Sequence, residues 1–400
     1  MLFLDLTHTS HTRARTGIQR VTRAIWAGLG AEAQPVCHDP YLDGWRTLDP
    51  WETDNLAART PASIRSGKWP LRARLRGNLK RLARRGSQQG CTGLRDVAQG
   101  LIVPELFSSR VARALPRLFS AVSGPKIALF YDATPLTHPE FTPPDMVSRF
   151  PAYMQDLLAF DGVAAISAES REALLGYWNW VGIREPPAVT AIPLGIARQE
   201  PVPDTLGNPG ISPGTPTILC VGTIEGRKNH ASLLEACERL WARGLVFDLR
   251  LVGLAQKETG REALSKIAAL KLAGRPIRYD GPVDDAELEA AYAECSFTVY
   301  PSFAEGFGLP VLESLAREKP CICLGRGALG EASQGGGCRT VGSVDATALE
   351  GAIAGLLGDP AELARLGLEA RARRIKGWDD YVRELAGWMG SLAVSPIPKA

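Results

Sequence analysis

The stretch that sets the fold class is TILCVGTIEGRKNHASLLEACERLWARG, residues 217–244. It opens with an apolar run typical of a buried strand and continues through a glycine-containing turn. It ends in a segment with helical spacing of apolar residues that stops at Gly244. The same order of strand, loop and helix returns within residues 247–325. Strands that alternate with helices predict a parallel sheet covered by helices on both faces.

The amino-terminal half repeats this alternation. Residues 2–6, 126–131 and 162–167 are expected strands, and residues 17–29 carry apolar side chains on one helical face. Residues 198–216 are rich in proline and glycine, which predicts a linker between two α/β domains. Ligands of parallel sheets bind at the carboxyl ends of the strands. The loops after residues 221, 253 and 300 are therefore expected to face one crevice.

The composition excludes several classes of protein. The 400 residues are 45% hydrophobic and 22% charged with a net charge of +3, so no strong field favours nucleic acid as a partner. No apolar run is long enough to span a membrane, and the first residues lack the basic start of a signal peptide. The eight cysteines include no C-x-x-C pair, so we expect reduced thiols, a cytoplasmic location and no metal site.

One segment is strongly basic. Residues 65–85 contain nine Lys or Arg, and Leu71, Leu75, Leu79 and Leu82 follow helical spacing behind Trp69. This is the pattern of a basic amphipathic helix. One interpretation is a solvated helix whose leucines pack on the domain. The other is contact with an anionic membrane surface or a lipid-linked phosphate.

The loop of residues 222–229 carries Arg227 and Lys228 next to the start of the predicted helix. The backbone N–H groups and the dipole of a helix start favour an anion, and two cations add to that preference. Arginine holds phosphate oxygens bidentately, whereas lysine acts as a point charge. The alternative is an ordinary exposed Arg-Lys pair.

A second loop lies within PSFAEGFGLPVLESLA, residues 301–316. Pro310 suits the first turn of a helix, and Glu313 is expected near the third helical position, where an acid can simply stabilise the helix start. Glu305 is not explained in this way, since it precedes Gly306 and Gly308 on the loop. Glycines allow a close approach of backbone to ligand, and a carboxylate accepts hydrogen bonds from sugar hydroxyls.

The two loops together match the needs of a nucleotide sugar, since cations suit a diphosphate and carboxylates suit hydroxyls. Arg227 and Lys228 would stabilise the charge that builds on a departing diphosphate. No Asp-x-Asp pair falls in a plausible site, so we expect no metal and no cofactor beyond the donor substrate.

These motifs resemble the donor half of family 4 glycosyltransferases, in particular GTIEGRKNH, YPSFAEGFGLPVLESLA and YDGPVDDAELEAAYAEC. The resemblance implies a retaining enzyme of GT-B fold, with two Rossmann-like domains whose parallel sheets face a central cleft. It implies that Glu305 contacts the donor sugar, Glu313 the ribose, and Arg227 with Lys228 the diphosphate. The donor-binding residues it implies are Gly17, Thr223, Arg227, Lys228, Glu305, Gly306, Phe307, Gly308, Leu309 and Glu313.

The resemblance extends to the amino-terminal half. DLTHTSHTRARTGIQRV is similar to the first loop of the mannosyltransferase-like branch, which places Gly17 by the phosphates. YDATPLTHPEF resembles the His-Asp segment of that branch, but Tyr131 stands where the family has histidine, while Asp132 is kept. Asp132 either orients an acceptor hydroxyl or caps the following turn. With Arg227, Lys228 and Glu305 it completes the expected catalytic set.

Three segments follow from this identification. Residues 1–200 are expected to form the acceptor-side domain and residues 201–375 the nucleotide-sugar domain. Residues 376–400 are expected to be a final helix that crosses back to the first domain. His8 and His11 are expected to be solvated rather than metal-bound, His138 to be structural or at the surface, and His230 to serve the helix start.

The sequence thus predicts a cytoplasmic hexosyltransferase, and the membrane interpretation of residues 65–85 places it at the inner face of the cytoplasmic membrane. GDP-mannose is the favoured donor, with UDP-linked sugars as the alternative. The expected acceptor is a saccharide in surface polysaccharide, lipopolysaccharide or lipid-linked oligosaccharide synthesis. A nucleotide-sugar epimerase and a non-catalytic nucleotide-sugar-binding scaffold subunit are the rival interpretations.

Overall fold

A computed structural model describes residues 1–13, 17–58, 69–83, 91–92, 94, 97–197 and 214–394. Most of the predicted linker, residues 198–213, lies outside the described residues. The same holds for residues 65–68 and 84–85 of the basic segment.

The described residues form fourteen strands and fifteen α-helices. The strands are β1 Leu2–Asp5, β2 Ala33–Asp39, β3 Gly44–Thr47, β4 Cys91–Thr92, β5 Leu101–Val103, β6 Lys126–Phe130, β7 Gly162–Ala165, β8 Ala188–Ala191, β9 Thr217–Val221, β10 Asp248–Val252, β11 Ile277–Tyr279, β12 Phe297–Tyr300, β13 Cys321–Leu324 and β14 Cys338–Val341. The helices are α1 Gly17–Leu29, α2 Pro50–Ala57, α3 Leu71–Ala83, α4 Ser109–Phe119, α5 Thr134–Thr137, α6 Pro144–Asp156, α7 Ala168–Trp180, α8 His230–Ala242, α9 Arg261–Leu272, α10 Asp285–Glu294, α11 Leu309–Leu315, α12 Gly327–Ser333, α13 Ala346–Gly358, α14 Pro360–Ala372 and α15 Trp378–Gly390.

The chain divides into two compact units. The first unit contains residues 1–132 and 145–194 and the segment that begins at Trp378. The second unit contains residues 133–144 and 195–377. Each unit is built on one sheet, and each is described by itself below.

The sheet of the first unit has the strand order β4-β3-β2-β1-β5-β6-β7-β8. All of its neighbouring strands run parallel except β2 and β3. The sheet is otherwise the parallel sheet that the sequence predicts, and β2 with β3 is its one antiparallel pair among the described strands. Only residues 40–43 separate β2 from β3, and a parallel crossover needs a dozen residues or more. The turn between them uses Asp43 in the left-handed conformation, with φ of 58°.

The sheet of the second unit has the order β11-β10-β9-β12-β13-β14 and is parallel throughout. Strand β9 lies between β10 and β12, so the loops that follow these three strands leave the same edge of the sheet. Ile218, Phe297, Val299 and Ile322 are fully buried in the core beneath α8 and α13. Burial of each such side chain contributes about 1.5–3 kcal/mol to the stability of the unit.

Residues 133–144 belong to the second unit, although the sequence assigned them to the first domain. The Phe141 ring stacks on Phe303, with centroids 5.4 Å apart and an interplanar angle of 3°. A Cβ at Gly226 would come within 2.7 Å of Phe141 Cδ1, so this glycine admits the ring. These aromatic contacts explain why the segment packs with the second unit.

Helix α15 packs in the first unit, against α1. Tyr381, Leu385 and Met389 are buried along one face of α15. A Cβ at Gly28 of α1 would meet Val382 Cγ2 at 2.8 Å, so the glycine permits this close packing. The last described helix is therefore part of the core of the unit that contains the start of the chain.

Helix α3 leaves its leucines in solvent. Leu71, Leu75, Leu79 and Leu82 are between 55% and 70% exposed, so the interpretation in which they pack on the domain is wrong. The helix packs instead through its small residues Ala73 and Gly77, and a Cβ at Gly77 would meet Tyr41 Cβ at 2.7 Å. No helix in the described part of the chain combines the length and apolarity needed to cross a membrane.

Candidate active site

The loop after β9 holds two cations at the start of α8. Residues 226–228 form a turn of 3-10 helix, and Asn229 adopts the left-handed conformation with φ of 53°. Asparagine tolerates this conformation better than most residues. The Asn229 side chain donates to the Val344 carbonyl over 2.7 Å, which fixes the turn. Helix α8 then begins at His230.

Glu305, in the loop after β12, is ion-paired with both cations. Arg227 Nη1 lies 2.8 Å from Glu305 Oε2, and Lys228 Nζ contacts Glu305 Oε1. Arg227 also donates to Glu225 Oε1 through Nε over 2.8 Å. The Phe303 N–H donates to the Arg227 carbonyl over 2.9 Å, which ties the two loops together through the backbone. The structure thus brings three of the four expected catalytic residues into direct contact.

The electrostatics of this cluster favour an ionised Glu305. Burial by itself would raise the pKa of Glu305, but Lys228 and Arg227 outweigh it and lower the pKa to about 2. A hydrogen bond from Ser302 adds to the lowering of the pKa. The cluster therefore holds a fixed negative charge between two positive charges. Such a group can accept hydrogen bonds while its partners face an anion.

The backbone turns sharply between Glu305 and α11. Gly308 caps α11 with φ of 93°, a conformation that favours glycine, and a Cβ there would lie 3.1 Å from Ala332 Cβ. Phe307 is buried beside it, and Leu309 is the first residue of the helix. Glu313 is the fifth helical residue rather than the third, and it is 6% exposed. It is therefore a buried acid one turn into α11, too far along the helix to act only by stabilising the helix start.

A second glycine brings the loops after β9 and β10 together. Gly253 has φ of 145°, and a Cβ there would lie 2.1 Å from the Gly222 carbonyl oxygen. The Ile224 N–H donates to Leu254 over 2.7 Å. Thr223, an expected donor-binding residue, lies on the loop held by these contacts, and it is half-buried.

His230 is buried at the first position of α8. Neither ring nitrogen has a hydrogen-bond partner among the described residues. Burial, with a smaller contribution from Lys228, lowers the pKa of His230 to about 4, so the ring is neutral at pH 7. His138 stacks on Phe141 and pairs through Nδ1 with the Thr137 hydroxyl over 2.9 Å, which is the structural role expected of it.

The first unit contains the remaining expected site residues. Gly17 begins α1 with open space around its α-carbon, and Asp132 follows β6 and is half-buried. Tyr131 is buried and donates its hydroxyl to the Pro104 carbonyl over 2.6 Å. This tyrosine therefore connects the loops after β5 and β6.

The sequence did not predict two buried carboxyls at the strand ends of this unit. Asp5 accepts from the Thr7 N–H over 2.9 Å, and Glu105 accepts from the His8 N–H over 2.9 Å. Burial is the largest cause that raises the pKa of each carboxyl, and both reach about 7.

His11 is buried, so the expectation that it is solvated is wrong, whereas His8 is exposed. His11 Nε2 lies 2.7 Å from Glu52 Oε1, and the ring packs between Trp51 and Trp69. Cys37 completes a group that could hold a metal by distance. Glu52, however, already accepts from Arg46 over 2.7 and 2.9 Å, so the group forms a buried ion-pair network.

Sequence analysis also missed Glu225, Ser302 and Asn229 as supports of the site. Glu225 and Asn229 lie inside the motif that was singled out, and asparagine before a helix is a known signal for a left-handed turn. The contact of Ser302 with Glu305 follows from the local turn after β12, which spacing alone does not reveal.

Solved structures define the fold class. The chain matches the Anabaena protein HepE in complex with UDP and glucose, with a TM-score of 0.67, 16% identity and coverage of 98% of this chain and 99% of that chain. It matches sucrose-phosphate synthase from Thermosynechococcus elongatus with a TM-score of 0.64, 18% identity and coverage of 97% of both chains. These likenesses show a GT-B fold of two parallel-sheet units.

Sequence comparison finds a matching family model and several relatives. Residues 204–373 match the family described as glycosyl transferases group 1. The chain is 25% identical over 335 residues to the serotype-specific mannosyltransferase WbdA of Escherichia coli, which covers 80% of this chain and 38% of the relative. It is 30% identical over 206 residues to O-antigen chain mannosyltransferase B of Escherichia coli, covering 49% of this chain and 52% of the relative.

The chain therefore resembles group 1 glycosyltransferases over residues 204–373, and the curated relatives that it matches include mannosyltransferases. The alignment covers 38% of the WbdA relative, so this chain spans about two fifths of the length of that protein.

Proposed function

We propose that this chain transfers mannose from GDP-mannose to a saccharide acceptor in surface polysaccharide or lipid-linked oligosaccharide synthesis. The observation that carries the proposal is the cluster of Arg227, Lys228 and Glu305 at the start of α8. The cations are suited to the diphosphate of a nucleotide sugar, and Glu305 to its sugar hydroxyls. The mannosyltransferase relatives support the choice of sugar.

The proposed reaction retains the anomeric configuration by front-face attack. The acceptor oxygen forms a bond to the anomeric carbon as the bond from that carbon to the phosphate oxygen breaks. The acceptor proton passes to the departing phosphate. Arg227 and Lys228 stabilise the charge that grows on the diphosphate, so the step is proposed to need no metal. Asp132 is proposed to orient the acceptor hydroxyl, and Gly17 to lie by the phosphates.

Glu313 and the loop of residues 306–309 are proposed to hold the rest of the donor. The buried Glu313 carboxylate suits a ribose, since hydroxyl pairs donate well to a carboxylate. The backbone of Gly306, Phe307, Gly308 and Leu309 is proposed to approach the sugar and phosphates, and Thr223 to contact the donor from the neighbouring loop.

The first test is thermal stability of the purified chain with GDP-mannose, GDP, UDP-glucose and UDP. A ligand at 100 times its dissociation constant adds about 2.7 kcal/mol of stability, which gives a readable shift in melting temperature. We expect a shift with GDP-mannose that Glu313→Ala weakens at least tenfold in apparent affinity. Glu258→Ala, at an exposed carboxylate of the same unit, is the control.

The outcomes separate the parts of the proposal. A shift with the UDP ligands alone would replace the donor, and the UDP-bound neighbour keeps that alternative open. No shift with any nucleotide would contradict the donor site itself. With an active acceptor, the one-bond NMR coupling between the anomeric carbon of the product and its proton would report retention or inversion. A trapped covalent glycosyl-enzyme would contradict front-face attack, and turnover that requires added Mg²⁺ would contradict the metal-free step.

We further propose that α3 docks the enzyme on an anionic lipid surface. The exposed leucines form one face of the helix, opposite the Ala73 and Gly77 face that packs on Tyr41. Exposed basic residues border the leucines on both sides: Arg72, Arg74, Arg76, Lys80 and Arg81. An apolar stripe with basic flanks suits the boundary between acyl chains and acidic headgroups.

Vesicle binding tests this docking. The variant with Leu71, Leu75, Leu79 and Leu82 changed to Gln is expected to lose at least tenfold in affinity for vesicles of phosphatidylglycerol and phosphatidylcholine. Leu272→Gln with Leu368→Gln, at exposed leucines of the second unit, is the control. Equal binding by both variants and the wild type would contradict a membrane role for α3.

A further inference from the structure

Three cysteine thiols meet in the sheet of the second unit. Cys321 and Cys323 are the first and third residues of β13, so their side chains share one face of the sheet. Cys338 is the first residue of β14 and pairs directly with Cys321 in the ladder. The three sulfur atoms all lie within 4.8 Å of one another. Cys321 and Cys323 are fully buried, and Cys338 is half-buried.

The backbone around this cluster is firmly held. Gly335, Gly336 and Gly337 precede Cys338 with φ of 92°, 92° and 82°. The Gly337 N–H donates to Glu369 Oε2 over 2.9 Å, and its carbonyl accepts from the Cys321 N–H over 3.1 Å. A Cβ at Gly337 would lie 2.6 Å from Leu315 Cδ2. The glycines therefore let the chain turn tightly and place Cys338 against β13.

We propose that Cys321, Cys323 and Cys338 form a three-thiolate site for one thiophilic metal ion, with Zn²⁺ as the reference ion. Thiolates prefer soft or borderline ions of this kind. Metal–sulfur bonds of about 2.3 Å place neighbouring sulfurs roughly 4 Å apart, so the site needs only a small contraction. The described residues add no fourth His, Cys or carboxylate ligand within that distance. A water molecule on the side of the half-buried Cys338 completes the tetrahedron.

The charge of the loaded site is balanced locally. Binding of a divalent ion releases the three thiol protons to solvent and leaves a net charge of −1 on the metal and its three thiolates. Arg373 lies close enough to Cys338 and Cys323 to interact with their charges. Its guanidinium is held by the Ala332 carbonyl, 2.9 Å from Nη1. A fixed cation beside the cluster favours the thiolate form that a metal requires.

The cluster lies apart from the proposed sugar-transfer chemistry. Its three cysteines lie within β13 and β14, whereas Arg227 and Glu305 lie on the loops that follow the carboxyl ends of β9 and β12. We therefore assign the metal a structural role, which joins two neighbouring strands and the glycine turn. The inference does not depend on the proposed donor or reaction.

Anaerobic titration of the reduced, metal-free full chain with Co²⁺ tests the site. We expect one Co²⁺ per chain, with the near-ultraviolet absorption of thiolate–cobalt charge transfer, and displacement of Co²⁺ by Zn²⁺. Zn²⁺ is also expected to raise the melting temperature. Loss of an outer-shell partner already costs about 10–100-fold in metal affinity, so Cys323→Ser and Cys338→Ser, which each remove a ligand, should weaken Co²⁺ binding by at least about 100-fold. Cys237→Ala, at a buried cysteine elsewhere in the unit, should bind Co²⁺ as the wild type does.

A second measurement uses only the wild type, in case the serine variants do not fold. Zn²⁺ should slow the alkylation of Cys338 by a thiol reagent, since a coordinated thiolate is no longer available. Absence of charge-transfer absorption, or Co²⁺ binding that survives in both serine variants, would overturn the proposal. The proposal would also be overturned if the purified chain contained a disulfide between Cys321 and Cys338 and bound no Co²⁺ after that disulfide was reduced.

Discussion

Glu305 holds two cations that would otherwise repel each other. Arg227 and Lys228 are neighbours in sequence, and each contacts a different oxygen of the same carboxylate. The side chain of Glu305 is 9% exposed, so the ion pairs are poorly screened by water. Removal of one partner from such a buried group leaves the others without compensation, which costs more than loss of an exposed pair.

Glu305→Gln is expected to lower stability in a pH-dependent way. The pKa of Glu305 falls from an ordinary 4.5 to about 2 on folding, so ionised Glu305 stabilises the fold above about pH 4.5. This contribution, on the order of 3 kcal/mol at most, is lost as the pH falls toward 2. In urea unfolding, the free energy of unfolding of the wild type should therefore exceed that of the variant by the largest amount near pH 7. The difference should become smaller as the pH falls.

Glu258→Gln, at an exposed carboxylate, is the matched control and should leave the urea midpoint unchanged. A difference between wild type and Glu305→Gln that is constant from pH 3 to pH 7 would show that the cations do not depress the pKa of Glu305.

Two buried tyrosines of the first unit should respond differently to loss of the hydroxyl. Tyr131 donates to the Pro104 carbonyl, so Tyr131→Phe should cost about 1 kcal/mol of unfolding free energy. The Tyr381 hydroxyl is buried without a hydrogen-bond partner among the described residues, so Tyr381→Phe should be neutral or stabilising. Urea unfolding of the two variants measures both. Equal losses in both variants would mean that the Tyr381 hydroxyl also has a partner.

At the scale of elements, the loops after β1 and β5 share one buried carboxyl. Glu105 accepts hydrogen bonds from the backbone N–H groups of His8 and Thr9, over 2.9 and 3.2 Å, and from the Thr9 hydroxyl. The loop after β1 thus takes its shape from a residue almost one hundred positions later. Asp5 lies near enough to interact electrostatically with Glu105.

The pKa of Glu105 gives this unit an acid-favoured stability. Burial raises the pKa from 4.5 to about 7, so the contribution is complete below about pH 4.5 and is lost as the pH rises through 7. Glu105→Gln cannot ionise, so the wild type should lose stability relative to this variant between pH 5 and pH 8. The loss should be on the order of 2 kcal/mol in urea unfolding. Glu185→Gln, at an exposed carboxylate of the same unit, is the control and should keep the wild-type dependence of unfolding free energy on pH. If the wild type and Glu105→Gln showed parallel dependences, the raised pKa of Glu105 would be contradicted.

At the scale of the whole molecule, the last described helix, α15, completes the core of the first unit. The chain builds this unit, continues through the second, and returns with α15 to the core beside α1. Leu385 of α15 is 1% exposed, whereas Leu368 of α14, in the second unit, is 58% exposed. The stability of the first unit therefore depends on residues nearly four hundred positions from its start.

Leu385→Ala should destabilise the first unit by about 2–4 kcal/mol, because it leaves a cavity in that core. Hydrogen exchange should show lower protection in β1 and α1, with β9 and α8 unchanged. Leu368→Ala is the control and should change neither unit by more than about 0.5 kcal/mol. Lower protection in both units after Leu385→Ala would mean that the two units unfold as one.

The alternation of strands and helices could be predicted from the sequence because it depends on residues close together in the chain. Helix α1 has the predicted bounds, since amphipathic spacing acts within a few positions. The donor loops were found for the same reason, because Arg227, Lys228, Glu305 and the glycines lie in two short motifs beside predicted strand ends. Their binding roles stay predictions.

Contacts between distant residues were not readable. Helical spacing identified the leucines of α3 as one face, but the packing of Gly77 on Tyr41 decided that this face points to solvent. The buried pair Asp5 and Glu105 and the membership of residues 133–144 in the second unit also arise from pairings across the chain.

The sequence by itself determined the α/β class, the order of the elements and the residues that bear the proposed transfer chemistry, because these depend on near neighbours and on residue type. The tertiary structure decided which charges neutralise each other, which apolar face stays exposed, and that Cys321, Cys323 and Cys338 meet without a C-x-x-C motif. The physical reason is that strand register and side-chain packing join residues far apart in the chain, and no local pattern encodes those distances.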